Sequence, residues 1–171
     1  MMNVLLSVVC GLGLATTAAS PEATQGVIGA VHVSGSSFQR QIRLEADGKR
    51  LALAGDIVAE LGRLHSFKVE VLGVVEGDKL TATGYRILDI GGGSKPVVGV
   101  LTQEGTSLTL VANLEETGGI KLNLPPRSKR RLANKTGAKI WVFGKTLVSG
   151  EYKVLRYGIL KEPPKAAPAN P

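Results

Sequence analysis

From residue 27 onward the chain runs in short stretches in which apolar and polar positions alternate, the period of two that belongs to half-buried β-strands. Such runs fall at about 27 to 33, 38 to 45 and 49 to 54, and Asp47-Gly48 between the second and third predicts a tight hairpin turn. The period then lengthens. Ile57, Val58, Leu61 and Leu64 recur at helical spacing up to His65, with Asp56 positioned to cap, which predicts a short helix. Alternation resumes over Lys68 to Val75 and Lys79 to Leu88, joined by Glu76-Gly77-Asp78. The predicted order is β-β-β-α-β-β.

The same order is then written a second time. Val27-Ile28-Gly29 matches Val97-Val98-Gly99, Leu61 matches Leu132, and Val71-Leu72-Gly73 matches Val142-Phe143-Gly144. Gly48, Leu51 and Leu53 match Gly119, Leu122 and Leu124, and Tyr85, Ile87 and Leu88 match Tyr157, Ile159 and Leu160. Agreement at so many positions at an offset of 70 to 72 residues marks an internal repeat, which governs the fold. The second copy predicts strands near 97 to 102, 107 to 113, 119 to 124, 138 to 147 and 151 to 160, with a helix from Ser128 to Asn134. Between the copies, residues 89 to 96 hold three consecutive glycines and Pro96, a composition that predicts a linker between domains spanning 26 to 88 and 97 to 160.

Five strands with a helix between the third and fourth is the OB-fold order, so the expected fold is mainly β: two tandem five-stranded OB-fold-like barrels. Leu61 and Leu64 followed by Val69-x-Val71-x-Gly73, and Leu132 followed by Ile140-x-Val142-x-Gly144, are the residues that carry a resemblance. On them the chain resembles the bacterial OB-fold domains of secreted and periplasmic proteins. The resemblance covers nearly everything after the first 25 residues and is architectural. It implies a scaffold that serves nucleic-acid, oligosaccharide, protein and metal-complex binding alike, so function has to be argued from sites.

The first residues read differently. Val4 to Leu14 is a short apolar run followed by small residues up to Ser20 and then Pro21, the order of a secretory signal peptide with cleavage after Ala19 (residues 1 to 19). Export to the periplasm or the exterior is therefore expected. The run is shorter than the ~20 apolar residues of a membrane span. Cys10 is the only cysteine and follows Val9, where a lipoprotein signal needs a small residue. An exported chain without it would carry no disulfide, thiolate metal site or cysteine nucleophile. Residues 161 to 171, with four prolines, predict an extended or disordered tail.

Charge changes the picture of the second copy. Residues 21 to 90 hold 8 Lys+Arg and 9 Asp+Glu, a net −1, whereas residues 91 to 171 hold 13 and 5, a net +8, together the +7 of the chain. The densest cluster is Arg127, Lys129, Arg130 and Arg131 at the start of the second helix, followed by Lys135 and Lys139. Helix N-terminal N–H groups already favour anions, so these residues form the candidate anion-binding site, the alternative being a solvated basic face. Trp141 and Phe143 share one face of a strand, with Tyr152 opening the next. They form either an aromatic patch beside the basic cluster or the contact between the two barrels, and the contact is favoured because units of this size bury little core alone.

Other chemistry is less supported. His32 and His65 lie in different elements with no metal-ligand spacing, and neither a nucleophile elbow nor a paired acid and base is visible, so no metal, cofactor or enzymatic activity is expected. Asp47, Asp56, Glu76 and Asp78 occupy turns or caps. The expected function is non-enzymatic binding or adaptor work, with a basic second barrel contacting an acidic protein or an envelope polyanion. Alternatives are a structural or regulatory subunit acting through barrel edges, and extracellular nucleic-acid binding, which the scarcity of aromatics disfavours.

Overall fold

The computed structural model describes residues 24 to 36, 39 to 112 and 119 to 164. The expected leader at 1 to 19 and most of the proline-rich tail lie outside the described residues. Among the described residues ten strands and two short helices follow in order: β1 (Gln25–Ser34), β2 (Gln41–Ala46), β3 (Lys49–Ala54), α1 (Val58–Leu61), β4 (Lys68–Glu76), β5 (Lys79–Asp89), β6 (Val97–Glu104), β7 (Ser107–Val111), β8 (Ile120–Asn123), α2 (Pro126–Ala133), β9 (Lys139–Thr146) and β10 (Tyr152–Lys161). The fold is mainly β, and each helix sits between the third and fourth strand of its set. No described helix is long and apolar enough to cross a membrane.

The first five strands close into a barrel in the order β1-β2-β3-β5-β4. The last five form a second sheet in the order β10-β8-β7-β6-β9, with β9 hydrogen-bonded in turn to β10. Corresponding strands keep the same register. Val27 stands opposite Val71 and Val71 opposite Tyr85, as Val97 stands opposite Val142 and Val142 opposite Tyr157. Inward positions of the first unit, among them Val31, Leu44, Val69, Val71 and Leu80, are fully buried around Leu61 and Leu64, which plug one end. In the second unit Leu101, Leu108, Leu110, Ile140 and Val142 surround Leu132 in the same way. Alternation supplied these residues, and closure gave each barrel face its core.

The turns follow their chemistry. Asp47 and Gly48 both have positive φ, 47° and 74°, the conformation a two-residue hairpin requires between Ala46 and Lys49. Helix α1 is shorter than its apolar spacing suggests. After Gly62 the bonds tighten to Arg63 N–H on Glu60 O and Leu64 N–H on Leu61 O, and Ser66 at φ 67° turns the chain into β4. Its N-cap is Ile57 with no side-chain cap, so Asp56 does not play the capping role expected of it. Helix α2 begins two residues early because Pro126 takes the first helical position, where a missing N–H costs nothing.

Residues 89 to 96 are an ordered turn. The Asp89 carboxylate accepts N–H groups from Gly91, Gly93 and Ser94 at 2.8 to 3.1 Å, and all three glycines have positive φ. Ile90 is 3% exposed and belongs to the first unit's core. The glycines are there because three successive left-handed residues wrap one carboxylate, a shape L side chains resist.

Candidate functional site

Three arginines of α2, Arg127, Arg130 and Arg131, are spaced i, i+3 and i+4, so the helix gathers them on one face, away from buried Leu132. All three are exposed, and among the described residues none has a carboxylate within salt-bridge distance. Arg130 and Arg131 lie in the last turn, where the helix dipole welcomes them, but Arg127 lies in the first, where it does not. Arg127 and Ser128 follow two prolines, and the first intrahelical bond is that of Lys129 N–H to Pro125 O. Lys129 lies toward Glu151, whose carboxyl is held low first by the Asn123 and Lys121 hydrogen bonds and, last, by the charge of Lys129.

The other two basic residues of the sequence cluster are engaged elsewhere. Lys135 Nζ donates to Glu162 Oε2 at 2.8 Å, and Lys139 Nζ donates to Glu60 Oε2 at 2.8 Å. The six-residue basic cluster is therefore divided: an open arginine face on α2, and two lysines that hold the chain's own carboxylates.

Lys139 belongs to the contact between the units. Trp141 is 7% exposed and meets Phe67 edge-on, ring centroids 5.4 Å apart at 76°. It joins the first unit's cluster together with Leu160, while Phe143 and Val98 pack against it. Its neighbours Ile140 and Val142 point into the second unit, so β9 is buried on both faces at Trp141. The indole lies across Gly158: a Cβ there would be 2.5 Å from Trp141 Nε1. Gly158→Ala is expected to displace the ring and cost about 1–3 kcal/mol, read from urea unfolding. Tyr152, the third aromatic of the sequence group, packs against the second unit's own core. The structure thus does not bring the three aromatics together beside the arginines.

Glu60 is the buried charged residue of the described chain, 8% exposed. Its Oε2 accepts the Tyr85 hydroxyl at 2.6 Å as well as Lys139, whose ammonium also stands 4.7 Å over the Tyr85 ring. Arg63 adds a bond to Ile159 O at 3.3 Å and an ion pair to Glu162 at 3.6 Å. Compared with protein-family models and with curated proteins, this chain matches none. Its chemistry therefore rests on these contacts alone.

Burial pushes the Glu60 carboxyl up, but the hydrogen bonds from Lys139 and Tyr85 and the lysine charges outweigh it and hold the group below the usual carboxylate range. Burial, then the hydrogen bond to Glu60 and its charge, push the Tyr85 phenol far above its ordinary value, so it remains a donor. A carboxyl depressed in the folded state binds protons less readily folded than unfolded. Its stabilisation is complete at neutral pH and is lost as pH falls through the acid range. Thermal melts between about pH 7 and pH 3 are expected to show this fall, and Glu60→Gln to flatten it.

Sequence reasoning missed Glu60, whose repeat counterpart is Arg131; opposite charges at matching positions were the available signal. It also read the two histidines as unrelated. The barrel places their rings 6.1 Å apart, with His65 Nδ1 accepting Val33 N–H at 3.2 Å and His32 Nε2 beside Glu45 at 3.2 Å. Among the described residues no group of three His, Cys, Asp or Glu is placed to hold a metal.

Proposed function

We propose that the protein is a non-enzymatic, exported binding module of two tandem OB-fold-like barrels, in which the arginine face of α2 holds an acidic protein or an envelope polyanion. The observation that carries this reading is the contrast within the basic cluster: Lys135 and Lys139 are held by Glu162 and Glu60, whereas Arg127, Arg130 and Arg131 point outward together. Guanidinium groups suit carboxylate and phosphate oxygens because each can meet two at once, and a stripe of three suits a repeating anion. Nucleic acid is the less favoured ligand. Single-strand binding draws on stacking platforms beside the charge, and Trp141 and Phe143 are committed to the inter-unit contact. Closure of the first barrel leaves it no free strand edge, so a protein partner would meet a face of it.

The test is binding of polyglutamate, polyphosphate and single-stranded DNA across a salt series, with Arg127, Arg130 and Arg131 changed together to Ala. Binding to polyglutamate or polyphosphate that weakens with salt and falls at least about tenfold in the triple variant is expected, a loss of about 1.4 kcal/mol or more. Binding that the triple variant leaves unchanged would overturn the assignment.

A further inference from the structure

The contact between the two units buries two surfaces, and the repeat leaves a copy of each one open. The first is the end of the first unit at α1, where Glu60 receives Lys139 and Phe67 receives Trp141. The second is the outer face of β6, β9 and β10. Its neighbouring positions form the rows Val98–Trp141–Gly158 and Val100–Lys139–Lys161, with Phe143 beside them. The open copy of the first surface lies at α2. Leu132 matches Leu61, both fully buried, so Arg131 takes the place of Glu60, and Arg127 and Arg130 flank it on the same helix face. The open copy of the second is the outer face of β1, β4 and β5. There the same registers give Ile28–Glu70–Arg86 and Ala30–Lys68–Asp89, with Leu72 in the place of Phe143. Phe143 and Val98 are packed against the first unit's core, but Leu72 and Ile28 are 43% and 48% exposed.

Both open surfaces differ from their buried copies in matching ways. On the helix side a carboxylate, Glu60, becomes a guanidinium, Arg131. On the sheet side Trp141 becomes Glu70 and Lys161 becomes Asp89, while Lys68 keeps the sign of Lys139 but stands opposite Asp89 in register. Phe67, the ring that Trp141 meets, becomes Ala138, so the aromatic pair is lost from both sides together. Glu70 is bonded to Arg86 at 2.7 Å. Beside Ile28 lies an open hollow bordered by Glu45, Asp47 and Asp89 as well as Lys68. Glu45 meets His32 and Arg50, but Asp47 has no ion pair among the described residues. The sheet face thus offers more carboxylate than ammonium where the helix face offers three unanswered arginines, and Leu72 and Ile28 keep the apolar places of Phe143 and Val98.

We propose that the occupant of the arginine face is a second copy of this chain, which seats its β1, β4 and β5 face on α2 as the second unit seats on the first. The second copy is then the acidic protein of the function proposed above, on whose reading of the arginine face this inference rests. Two complementary surfaces on different units of one chain make a heterologous contact, so copies add head to tail instead of closing as a symmetric pair. Opposite charge on the two surfaces sets the direction and register of the contact.

Sedimentation velocity over a range of protein concentrations is the test. The native protein is expected to self-associate at low salt at concentrations on the order of 0.1 mM, and to return to monomer as salt screens the charges or polyglutamate takes the arginines. Arg127, Arg130 and Arg131 changed together to Ala should leave a monomer, as should Leu72→Lys combined with Ile28→Lys, while circular dichroism checks that both variants are folded. Mixed together, the two variants should form a one-to-one dimer that grows no further, because each supplies the surface that the other lacks. A mixture that stays monomeric, or association that either variant leaves unchanged, would overturn the proposal. A native protein that binds polyglutamate but stays monomeric loses the second copy and keeps the arginine face, whereas one that does neither loses both.

Discussion

Replacing Trp141 with alanine is expected to lower stability by about 3–5 kcal/mol, the range for deleting a large buried aromatic side chain that its surroundings cannot fill. The surroundings here are rigid. Phe67 directly precedes the first unit's β4, Leu160 on β10 is 1% exposed, and Gly158 beneath the ring has no side chain to move inward. Ile140 and Val142 on the opposite side of β9 still anchor the strand in the second unit, so the variant should fold. What it loses is the cement between units. Urea unfolding should then change from one transition to two, because cooperativity between the units depends on their shared contact. A single transition with unaltered midpoint would mean that the ionic contacts of Glu60, Arg63 and Glu162 hold the units without it.

The second large effect is expected at Gly73 and Gly144. Opposite each of them the partner strand carries an extra residue, so the register shifts between Leu72 and Gly73 and, in the second unit, across Val154 to Arg156. At these bulges the strands close in on one another. A Cβ on Gly144 would overlap the Lys153 carbonyl oxygen, and one on Gly73 the Thr81 carbonyl oxygen. Backbone oxygens cannot rotate away as a side chain can. Gly144→Val and Gly73→Val should each cost about 3 kcal/mol or more, measured by chemical unfolding or by loss of soluble protein. Gly84→Ala is the control, since its Cβ would meet only Leu72 at ordinary contact distance and stability should change little.

Much of the strand map was legible because alternation is a local property. Val69, Val71 and Gly73 face inward for the same reason that they are two apart, and Asp47-Gly48 turns the chain wherever it occurs between strands. The short helix was less legible. Ile57, Val58, Leu61 and Leu64 do point to one side, but the last of them is held by tightened turns after α1 has ended. The glycine run was legible as the link between the units but not in its shape, which Asp89 sets by binding three of the following N–H groups.

The candidate site was legible as a cluster but not as a division of labour. Linear proximity groups Lys135 and Lys139 with the arginines, and no local rule says which charges will be answered. Glu60 lies 79 residues before Lys139, and Arg63 lies 96 before Ile159. Those pairings exist because the second unit packs its β9 and β10 face against α1. For Trp141 and Phe143 the sequence favoured the contact between the units, and the structure adds the partners that a strand position could not name, Phe67 and the first unit's core.

By itself, then, the sequence determined the order of elements, the turns, the residues facing each core and the excess of positive charge after residue 91, all set by periodicity, backbone preference and composition within a few residues. Only the tertiary structure decided which face of each unit is covered, that Glu60 answers Lys139, and that Arg127, Arg130 and Arg131 stand unanswered while Leu72 and Ile28 stay open. The physical reason is that burial and charge neutralisation are properties of surfaces brought together from distant parts of the chain, and one interface covers a face in one unit that its counterpart leaves exposed.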